Sequence, residues 1–258
     1  MILKNTTYNS IASIYDEIMA SVDYQGWVNY VEALVSLHNG SFNSVLDLAC
    51  GTGSSTIPFA RRGKLTTGID LSTAMIKIAQ NKIKGETLHN LRFLQSDLCR
   101  LKLQESFDLA VLFQDGLNYL IGTERLASAF KNIHTILNPE GFFVFDLTRP
   151  RLRPLSGEKN SEVAEDDQFT FFWESNFNYE TNIWSIKLII FRLVENGLYK
   201  KYYEEHQEQD YPPGLVSELL KKCGFTVLGI YPSFSLEPIK NDEESEAKLT
   251  FVTRRIGE

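Results

Sequence analysis

Two kinds of hydrophobic pattern follow one another along this chain of 258 residues. At the beginning, apolar positions recur every three or four residues, as Ile11, Ile14 and Ile18 do, and this spacing predicts amphipathic helices. The second of these helices lies in YQGWVNYVEALVSLHNG and ends at Asn39–Gly40, a pair that commonly stops a helix. From residue 43 onwards, short apolar runs alternate with helical segments.

The alternating region predicts a parallel sheet with helices on both faces. Its five strand-like runs are SVLDLA, KLTTGID, LRFLQSD, FDLAVLF and GFFVFDL. The helix after the second run is bounded by Ser72, a typical N-cap, and by Gly85, a typical stop. FDLAVLF is apolar at nearly every position, as expected for a strand that is buried on both faces.

Residues 169–211 show no helical period. Turn signals at Glu180–Asn182 and Glu195–Gly197 divide this segment into three strand-like runs, which predicts a three-stranded antiparallel insertion. A helix, PPGLVSELLKKCG, and two strands, FTVLGIYPSF and KLTFVTRR, follow and are predicted to end the sheet as an antiparallel pair. We therefore expect an N-terminal helical segment (1–40), a core (41–148 and 212–258) and an antiparallel insertion (149–211).

Composition narrows the classes of function. A hydrophobic fraction of 43% fits one large domain with an insertion. The net charge of −7 disfavours nucleic acids and anionic membranes as general partners. The chain shows neither an apolar run long enough to span a membrane nor the pattern of a signal peptide. Its three cysteines form no CxxC pair, so we expect a cytoplasmic protein without disulfides or a metal site.

The stretch VLDLACGTGSST, residues 45–56, places a glycine-rich turn between a strand and a helix, where nucleotides often bind. Thr56 stands where a dinucleotide fingerprint has its third glycine, and no Gly-Lys-Ser/Thr follows, so a P-loop is excluded. The preceding acid, Asp47, would repel a pyrophosphate and suits a ligand with an amine or a cation. Asp70 and Asp97 end the next two strands, at the edge where open α/β sheets bind ligands, and Asp70 suits the hydroxyls of a ribose.

These motifs resemble those of the class I S-adenosylmethionine-dependent methyltransferases. The similar segments are VLDLACGTGSST, GIDLS, QSD and FDLAVLFQDGLNYL, within residues 43–147. YNSIASIYDEIM, DYQGWVNYV and EEHQEQDYPPGLVSELLKKCGF are similar to a bacterial branch of small methyltransferases, with sugar N-methyltransferases and glycine N-methyltransferase as more distant relatives. The resemblance implies a doubly wound α/β fold whose mostly parallel sheet has seven strands, with N-terminal helices and a small antiparallel insertion sheet. It also implies that residues 1–40 form a lid, that 41–148 and 212–258 bind the cofactor, and that 149–211 lie over the substrate pocket.

The resemblance also implies a site for S-adenosylmethionine. Gly51 and Gly53 would line its methionine part, with Asp47 near the amino group and Asp70 on the ribose. The other positions that the resemblance carries over to the cofactor are Tyr8, Tyr15, Ala49, Leu71, Met75, Asp97, Leu98 and Gln114. A sulfonium cation beside tyrosine rings would gain from cation–π attraction. Gly116 departs from the branch, which usually has serine there, and this puts any role of that hydroxyl in doubt.

Methyl transfer from a sulfonium is an in-line displacement, so positioning can supply most of the catalysis, and a base is needed only if the acceptor must lose a proton. The candidate catalytic residues are His206, Glu204, Tyr15, Asn118 and Tyr119. His206 leads them because the third insertion strand overhangs the substrate pocket in relatives. Plainer interpretations stay open for several of these residues: Asp97 fits a helix N-cap, and His206 fits a solvated or packed strand residue. Core positions fit Tyr8, Tyr15 and Met75.

The function that follows is a cytoplasmic methyltransferase acting on a nitrogen or oxygen of a small-molecule acceptor. Nucleic acid, membrane and metal are not expected as partners, and a homodimer is left open. Two alternatives remain at this level. One is a methyltransferase of RNA or protein, which the acidic composition disfavours. The other is a non-catalytic S-adenosylmethionine-binding assembly or regulatory protein, which intact cofactor motifs do not exclude.

Overall fold

A computed structural model describes residues 8–152, 160–239 and 246–257. Its strands are β1 (Ser44–Leu48), β2 (Leu65–Asp70), β3 (Leu91–Gln95), β4 (Phe107–Leu112), β5 (Leu137–Thr148), β6 (Asn160–Glu165), β7 (Phe169–Asn178), β8 (Ile183–Leu193), β9 (Tyr199–Gln209), β10 (Phe225–Pro232) and β11 (Lys248–Arg255). Its α-helices are α1 (Tyr15–Ile18), α2 (Tyr24–Leu37), α3 (Thr56–Arg61), α4 (Thr73–Lys82), α5 (Thr123–Ile136) and α6 (Pro213–Lys222).

The larger sheet has seven strands in the order β10-β11-β5-β4-β1-β2-β3. Strands β3, β2, β1, β4 and β5 run parallel, and β11 is antiparallel to both of its neighbours, β5 and β10. The fold class expected from the sequence is therefore confirmed, including the antiparallel pair that ends the chain. Because β1 lies between β2 and β4, the glycine turn that follows it opens at the middle of the sheet edge, where chain connections diverge and ligands bind.

Helices cover both faces of this sheet. On one face, α5 and α6 pack against the sheet in the largest hydrophobic cluster, which includes Phe130 and Leu220. On the other face, α2 packs through Trp27, Val31 and Leu34 in a second cluster that contains residues of β1, β4 and β5. The division of the chain into units stays a prediction, but α2, which was expected as part of a lid, is a layer of the core.

The residues before α2 have a different environment. The helix expected over YNSIASIYDEIM is a 3-10 turn at Ala12–Ile14 followed by the single turn of α1. Ile11 and Ile14 are buried against Phe169, Ile190 and Tyr202 of the second sheet. The segment from Tyr8 to Ile18 is therefore anchored on the insertion sheet.

The insertion forms a second, antiparallel sheet in the order β6-β7-β8-β9. It has four strands, so the expectation of three strands was wrong. The additional strand, β6, has the sequence NSEVAE, which lacks the apolar alternation that reveals a strand. The expected turn at Asn196–Gly197 connects β8 to β9, and Asn196 has a left-handed backbone with φ of 62°.

Candidate functional site

A cavity opens at the carboxyl edge of the parallel strands, between the loops that follow β1, β2, β3 and β4 and the N-terminal segment. Eleven of the residues expected from the sequence line it: Tyr8, Tyr15, Ala49, Gly51, Asp70, Leu71, Met75, Asp97, Leu98, Gln114 and Tyr119. A smaller cavity adjoins it and is lined by Tyr15, Tyr24, Asp47 and the glycine loop. The structure therefore brings most of the candidate residues together.

Asp70 ties the glycine loop to the loop after β2. Its Oδ2 accepts the Gly51 N–H at 2.9 Å, and its Oδ1 accepts the Ser72 N–H at 2.7 Å. Burial raises the pKa of Asp70, while these backbone donors oppose the rise. Gly51 itself has φ of +55°, and a Cβ at this position would have only Tyr15 nearby, at 3.9 Å from Cε1. The loop thus leaves an open cradle between Gly51 and the Tyr15 ring.

Gly53 serves packing instead of lining the cavity. A Cβ at Gly53 would lie 2.5 Å from Cζ of Phe93 on β3, and its φ is +79°. Neither cavity includes Gly53 among the lining residues that the structure describes. The expectation that Gly53 lines the methionine part is therefore not supported by its placement.

Asp47 is buried beneath the start of α3. It accepts hydrogen bonds from Ser55 Oγ at 2.7 Å and from Thr56 Oγ1 at 2.6 Å. Burial raises the pKa of Asp47 to about 6, although both hydroxyl groups oppose the rise. Thr56, which occupies the place of a third glycine, thus has a positive role, because its hydroxyl holds the carboxylate at the edge of the smaller cavity.

Asp97 and Met75 each have a structural role and also line the cavity, so both interpretations that the sequence left open apply to them. The Asp97 carboxylate caps a 3-10 turn by accepting the Cys99 N–H at 2.9 Å, and Asp97 also lines the cavity. Met75 is a core residue, 2% exposed, and lines the cavity as well. Packing and a ligand-facing position are therefore compatible at both residues.

The loop after β4 is held from behind by a buried charge cluster. Gln114 and Asp115 both have positive φ, 58° and 64°, and their N–H groups donate to Asp146 Oδ2 and Oδ1 at 2.9 and 3.1 Å. Lys248 Nζ lies 2.9 Å from Asp146 and 3.1 Å from Asp115. Such strained backbone persists only where the surroundings fix it, and here it presents Gln114 to the cavity. In the same loop, a Cβ at Gly116 would meet Leu112 Cδ1 at 2.6 Å, so glycine allows close packing there.

Tyr8, Tyr119 and His206 form a chain of hydrogen bonds at the wall of the cavity. The hydroxyl oxygens of Tyr8 and Tyr119 are 2.7 Å apart, and Tyr119 Oη lies 3.2 Å from His206 Nδ1. His206 is 6% exposed, and burial lowers its pKa, although the charge of Glu204 opposes this. Tyr119 lines the cavity and His206 lies behind it, so the two residues act on the cavity in series.

Two other candidates have structural surroundings. Asn118 is fully buried, and its Nδ2 donates to the carbonyl oxygens of Thr148 and Gln209, each at 2.8 Å. Its side chain is thus used to join the β4 loop to β5 and β9, and the structure does not bring it to the cavity. Glu204 accepts the N–H groups of Tyr8 and Ser10 at 3.1 and 2.9 Å, so it holds the N-terminal segment.

Sequence reasoning missed six residues that line the main cavity: Asn9, Ser72, Ser96, Phe113, Leu120 and Arg125. Ser72, Ser96, Phe113 and Leu120 lie within the quoted motifs GIDLS, QSD and FDLAVLFQDGLNYL, so assigning every residue of these motifs to the cavity would have found them. Asn9 and Arg125 lie on the N-terminal segment and in the first turn of α5, and no pattern in the sequence points to them. Tyr24 of the smaller cavity was also missed, because it belongs to a helix whose apolar pattern predicts core packing.

The donor set fits a nucleoside that carries a cationic chain. Asp70 is a fixed carboxylate at the end of β2, Leu71, Met75 and Leu98 form an apolar surface beside it, and the open cradle at Gly51 faces an aromatic ring. In the part of the chain that the structure describes, no group of His, Cys, Asp and Glu is arranged to hold a metal ion. Within the same ranges, no helix is long and apolar enough to cross a membrane.

Comparison with known proteins agrees with this donor set. Residues 45–141 match the model of a methyltransferase domain. Over 238 residues the chain is 30% identical to the putative methyltransferase YqeM of Bacillus subtilis, covering 92% of this chain and 94% of that protein. The chain belongs to the class I S-adenosylmethionine-dependent methyltransferases. Its cofactor is therefore S-adenosylmethionine, as the glycine turn and the carboxylates at the strand ends predicted.

The fold of this methyltransferase is also that of a solved relative. A crystal structure of an S-adenosylmethionine-dependent methyltransferase from Clostridium acetobutylicum superposes with a TM-score of 0.85 at 29% identity, covering 97% of this chain and 99% of that one. A shorter match, 29% identical over 137 residues, is the dTDP-3-amino-3,4,6-trideoxy-alpha-D-glucopyranose N,N-dimethyltransferase of Streptomyces venezuelae. It covers 52% of this chain and 56% of that enzyme.

Proposed function

We propose that this methyltransferase transfers a methyl group to the nitrogen of a small-molecule amine. The observation that carries the proposal is the chain Tyr8–Tyr119–His206 at the wall of the cofactor cavity. The cavity is bordered by the N-terminal segment, whose Ile11 and Ile14 pack on the insertion sheet. A compact acceptor suits a cavity with two covering elements better than an RNA or a protein does.

The residues of the sheet edge hold the cofactor in this proposal. Asp70 accepts hydrogen bonds from the ribose hydroxyls, which match its remaining lone pairs. Leu71 and Met75 flank the adenine, and Asp97 and Leu98 meet its edge. Asp47 and the backbone of Gln114, together with Gly51, hold the methionine part. When bound, the cofactor would supply an electrophilic methyl group on a sulfonium, and Tyr15 would line the cradle at Gly51 that holds the methionine part.

Tyr119 and His206 accept the proton that the amine must lose. Burial lowers the pKa of His206, so its imidazole is neutral near pH 7 and can take a proton. Burial, together with the charges of Tyr8 and Glu208, raises the pKa of Tyr119, so its hydroxyl stays protonated. Tyr119 therefore passes a proton on: it donates its own to His206 Nδ1 and receives one from the acceptor.

Nitrogen is favoured over oxygen by the charges around this chain. Glu204 and Glu208 are buried on β9, 6% and 4% exposed, and flank His206 in sequence. Buried negative charge attracts a protonated amine, whereas a neutral alcohol gains nothing from it. The Streptomyces venezuelae relative, by its name, methylates an amino sugar nucleotide, which supports a nitrogen acceptor.

The test uses methyl-labelled S-adenosylmethionine and matched pairs of acceptors. Each pair consists of an amino sugar nucleotide and the same molecule with a hydroxyl group in place of the amine, alongside total RNA and total protein. We expect label on the amines and none on their hydroxyl partners. Label on the hydroxyl compounds would refute the choice of nitrogen, and label confined to RNA or protein would refute a small-molecule acceptor.

A further inference from the structure

Asp16 joins the N-terminal segment to the glycine loop. Its carboxylate accepts the hydroxyl protons of Thr52 at 2.6 Å and of Ser54 at 3.1 Å. Lys82 Nζ, at the end of α4, lies 2.8 Å from the other carboxylate oxygen and also donates to Ser54 Oγ at 2.9 Å. None of these four residues was singled out from the sequence, and Asp16 directly follows Tyr15, whose ring faces Gly51.

The neighbouring residues Tyr15 and Asp16 thus contact the same loop in two ways. Tyr15 lines both cavities and is the side chain nearest to the open space at Gly51. Asp16 contacts Thr52 and Ser54, which are one and three residues further along that loop. A shift of Asp16 away from the loop would therefore move Tyr15 away from Gly51 and widen the cradle.

The strength of this contact suits an element that opens and closes. Burial raises the pKa of Asp16, but the hydrogen bonds from Lys82 and Thr52 outweigh it and lower the pKa overall, so the carboxylate is ionised at neutral pH. The side chains of Asp16 and Lys82 remain 41% and 27% exposed. An ion pair in contact with water contributes little enough to break during each cycle of binding and release.

We propose that Asp16 is a positioning residue that clamps Tyr15 over the glycine loop and so sets the rate at which the cofactor dissociates. The clamp closes one side of the cradle through Thr52, Ser54 and Lys82, and the cofactor leaves when these contacts break. The inference rests on the proposed position of the cofactor between Tyr15 and Gly51, and it is independent of which acceptor is methylated.

The test measures association and dissociation rates of S-adenosylmethionine and S-adenosylhomocysteine by stopped flow on the full chain. The variants are Asp16→Asn, Asp16→Ala and Lys82→Met, and the control is Glu86→Gln. Glu86 pairs with Arg61 at 2.9 Å on the surface, so this control removes an ion pair of similar length away from the cavity. We expect dissociation to become about two- to fivefold faster in the three clamp variants, with Asp16→Ala the fastest, and unchanged in the control.

A structural role would give a different pattern. If Asp16 only stabilised the fold, the variants would melt at lower temperature and lose binding-competent protein, with the dissociation rate of the remainder unchanged. The charge exchange Asp16→Lys with Lys82→Asp restores slow dissociation if the clamp is correct. Wild-type dissociation rates in both Asp16 variants would overturn the clamp. Wild-type affinity after Asp70→Ala would instead overturn the position of the cofactor, so the two failures are distinguishable.

Discussion

The two sides of the cavity are built in different ways. On the cofactor side, which comprises Gly51, Asp70 and Asp97, the groups lie at ends of adjacent strands, and the two carboxylates accept backbone N–H groups two to nineteen residues away. On the acceptor side, which comprises Tyr8, Tyr119 and His206, three distant parts of the chain bring together two hydroxyl groups and an imidazole. The first side is fixed by the sheet, and the second depends on how the insertion and the N-terminal segment dock.

This difference teaches where specificity for an acceptor can change. The carboxylates of the cofactor side also anchor backbone N–H groups, so changing one of them disturbs the loops around the cofactor as well. The hydroxyls and the imidazole of the acceptor side change with single residues, and no sheet contact has to break. The comparison makes a strong claim: substitutions on the cofactor side should change binding of the cofactor, and those on the acceptor side should change turnover alone.

The largest expected effect on cofactor affinity is that of Asp70→Ala. The substitution removes the acceptor of the Gly51 and Ser72 N–H groups and the proposed ribose contact, and hydrogen bonds to a charged group contribute about 1.5–3 kcal/mol each. We expect the Kd of S-adenosylmethionine in calorimetry to rise by about 100-fold or more. Asp97→Ala, which removes one N-cap bond, should cost about tenfold. A change below threefold for Asp70→Ala would contradict the assignment of the cofactor side.

The next effect is on turnover. Tyr119→Phe removes the hydroxyl between the cavity and His206, and loss of a positioned proton acceptor costs about 100- to 10,000-fold in rate. We expect single-turnover methylation of an amine to slow by that factor, while the Kd of the cofactor stays within about twofold of wild type. His206→Gln should have a similar effect, and the double variant should be no slower than the slower single variant, because the residues act in series. If the rate losses of the two single variants multiplied in the double variant, Tyr119 and His206 would act independently and not as one proton relay.

A smaller effect is the pH dependence of cofactor affinity, which should distinguish Asp47 from Asp70 and Asp97. Burial raises the pKa of Asp47 to about 6, so its carboxylate becomes protonated as the pH falls below that value. The affinity for the cofactor's amino group should then fall by up to about tenfold per pH unit, with a midpoint below 6 because a bound ammonium favours the ionised form. Calorimetry from pH 5 to 8 should show this slope in the wild type and a flatter profile in Asp47→Asn.

The free energy of unfolding of the cofactor-free protein should change in the opposite direction: the Asp47 contribution increases as the pH falls. The folded pKa of Asp47 lies above its usual value of 3.8, so its contribution to stability is fully present below about 3.8 and is lost as the pH rises through 6. Relative to Asp47→Asn, the wild type should therefore lose roughly 2–3 kcal/mol of unfolding free energy between these limits. Urea unfolding of both proteins at several pH values measures the difference. Parallel stability profiles would show that Asp47 has an ordinary pKa.

The smallest effects compare two glycines of one loop. Gly51→Ala adds a Cβ that meets only Tyr15, so we expect a loss of about 1 kcal/mol of stability from its positive φ and a clear loss of cofactor affinity. Gly53→Ala places its Cβ against Phe93 and should lower the melting temperature more, with less effect on the affinity of the folded protein. The reverse order would show that Gly53 faces the cofactor.

The sequence predicts the cofactor side well because its signals are local. Strand periodicity and the acids at strand ends placed Asp70 and Asp97 at one edge of the sheet, and the structure agrees. The same signals could not separate Gly51 from Gly53, since only the neighbour across the loop, Phe93, distinguishes a packing glycine from one that faces a cavity.

The residues of the acceptor side were predicted one by one, but the hydrogen bonds that join them were not. Tyr8, Tyr119 and His206 were each named, but nothing in the sequence shows that they touch, because their contact requires the insertion to dock. Asn118 sits beside Tyr119 and shares its polar loop, yet its amide faces backbone carbonyls that only the tertiary fold supplies. β6 was missed because a polar edge strand has no periodic signature.

The position of Lys248 has a consequence for attempts to shorten the protein. This residue begins β11, yet it pairs with the two acids that hold the loop at Gln114, and β11 lies between β5 and β10 within the sheet. All four cofactor motifs, through the loop after β4, precede β11 in the sequence. We therefore expect a fragment that stops before β11 to carry every recognised motif and still bind S-adenosylmethionine poorly, because the loop at Gln114 would lack its lysine and the sheet one of its inner strands.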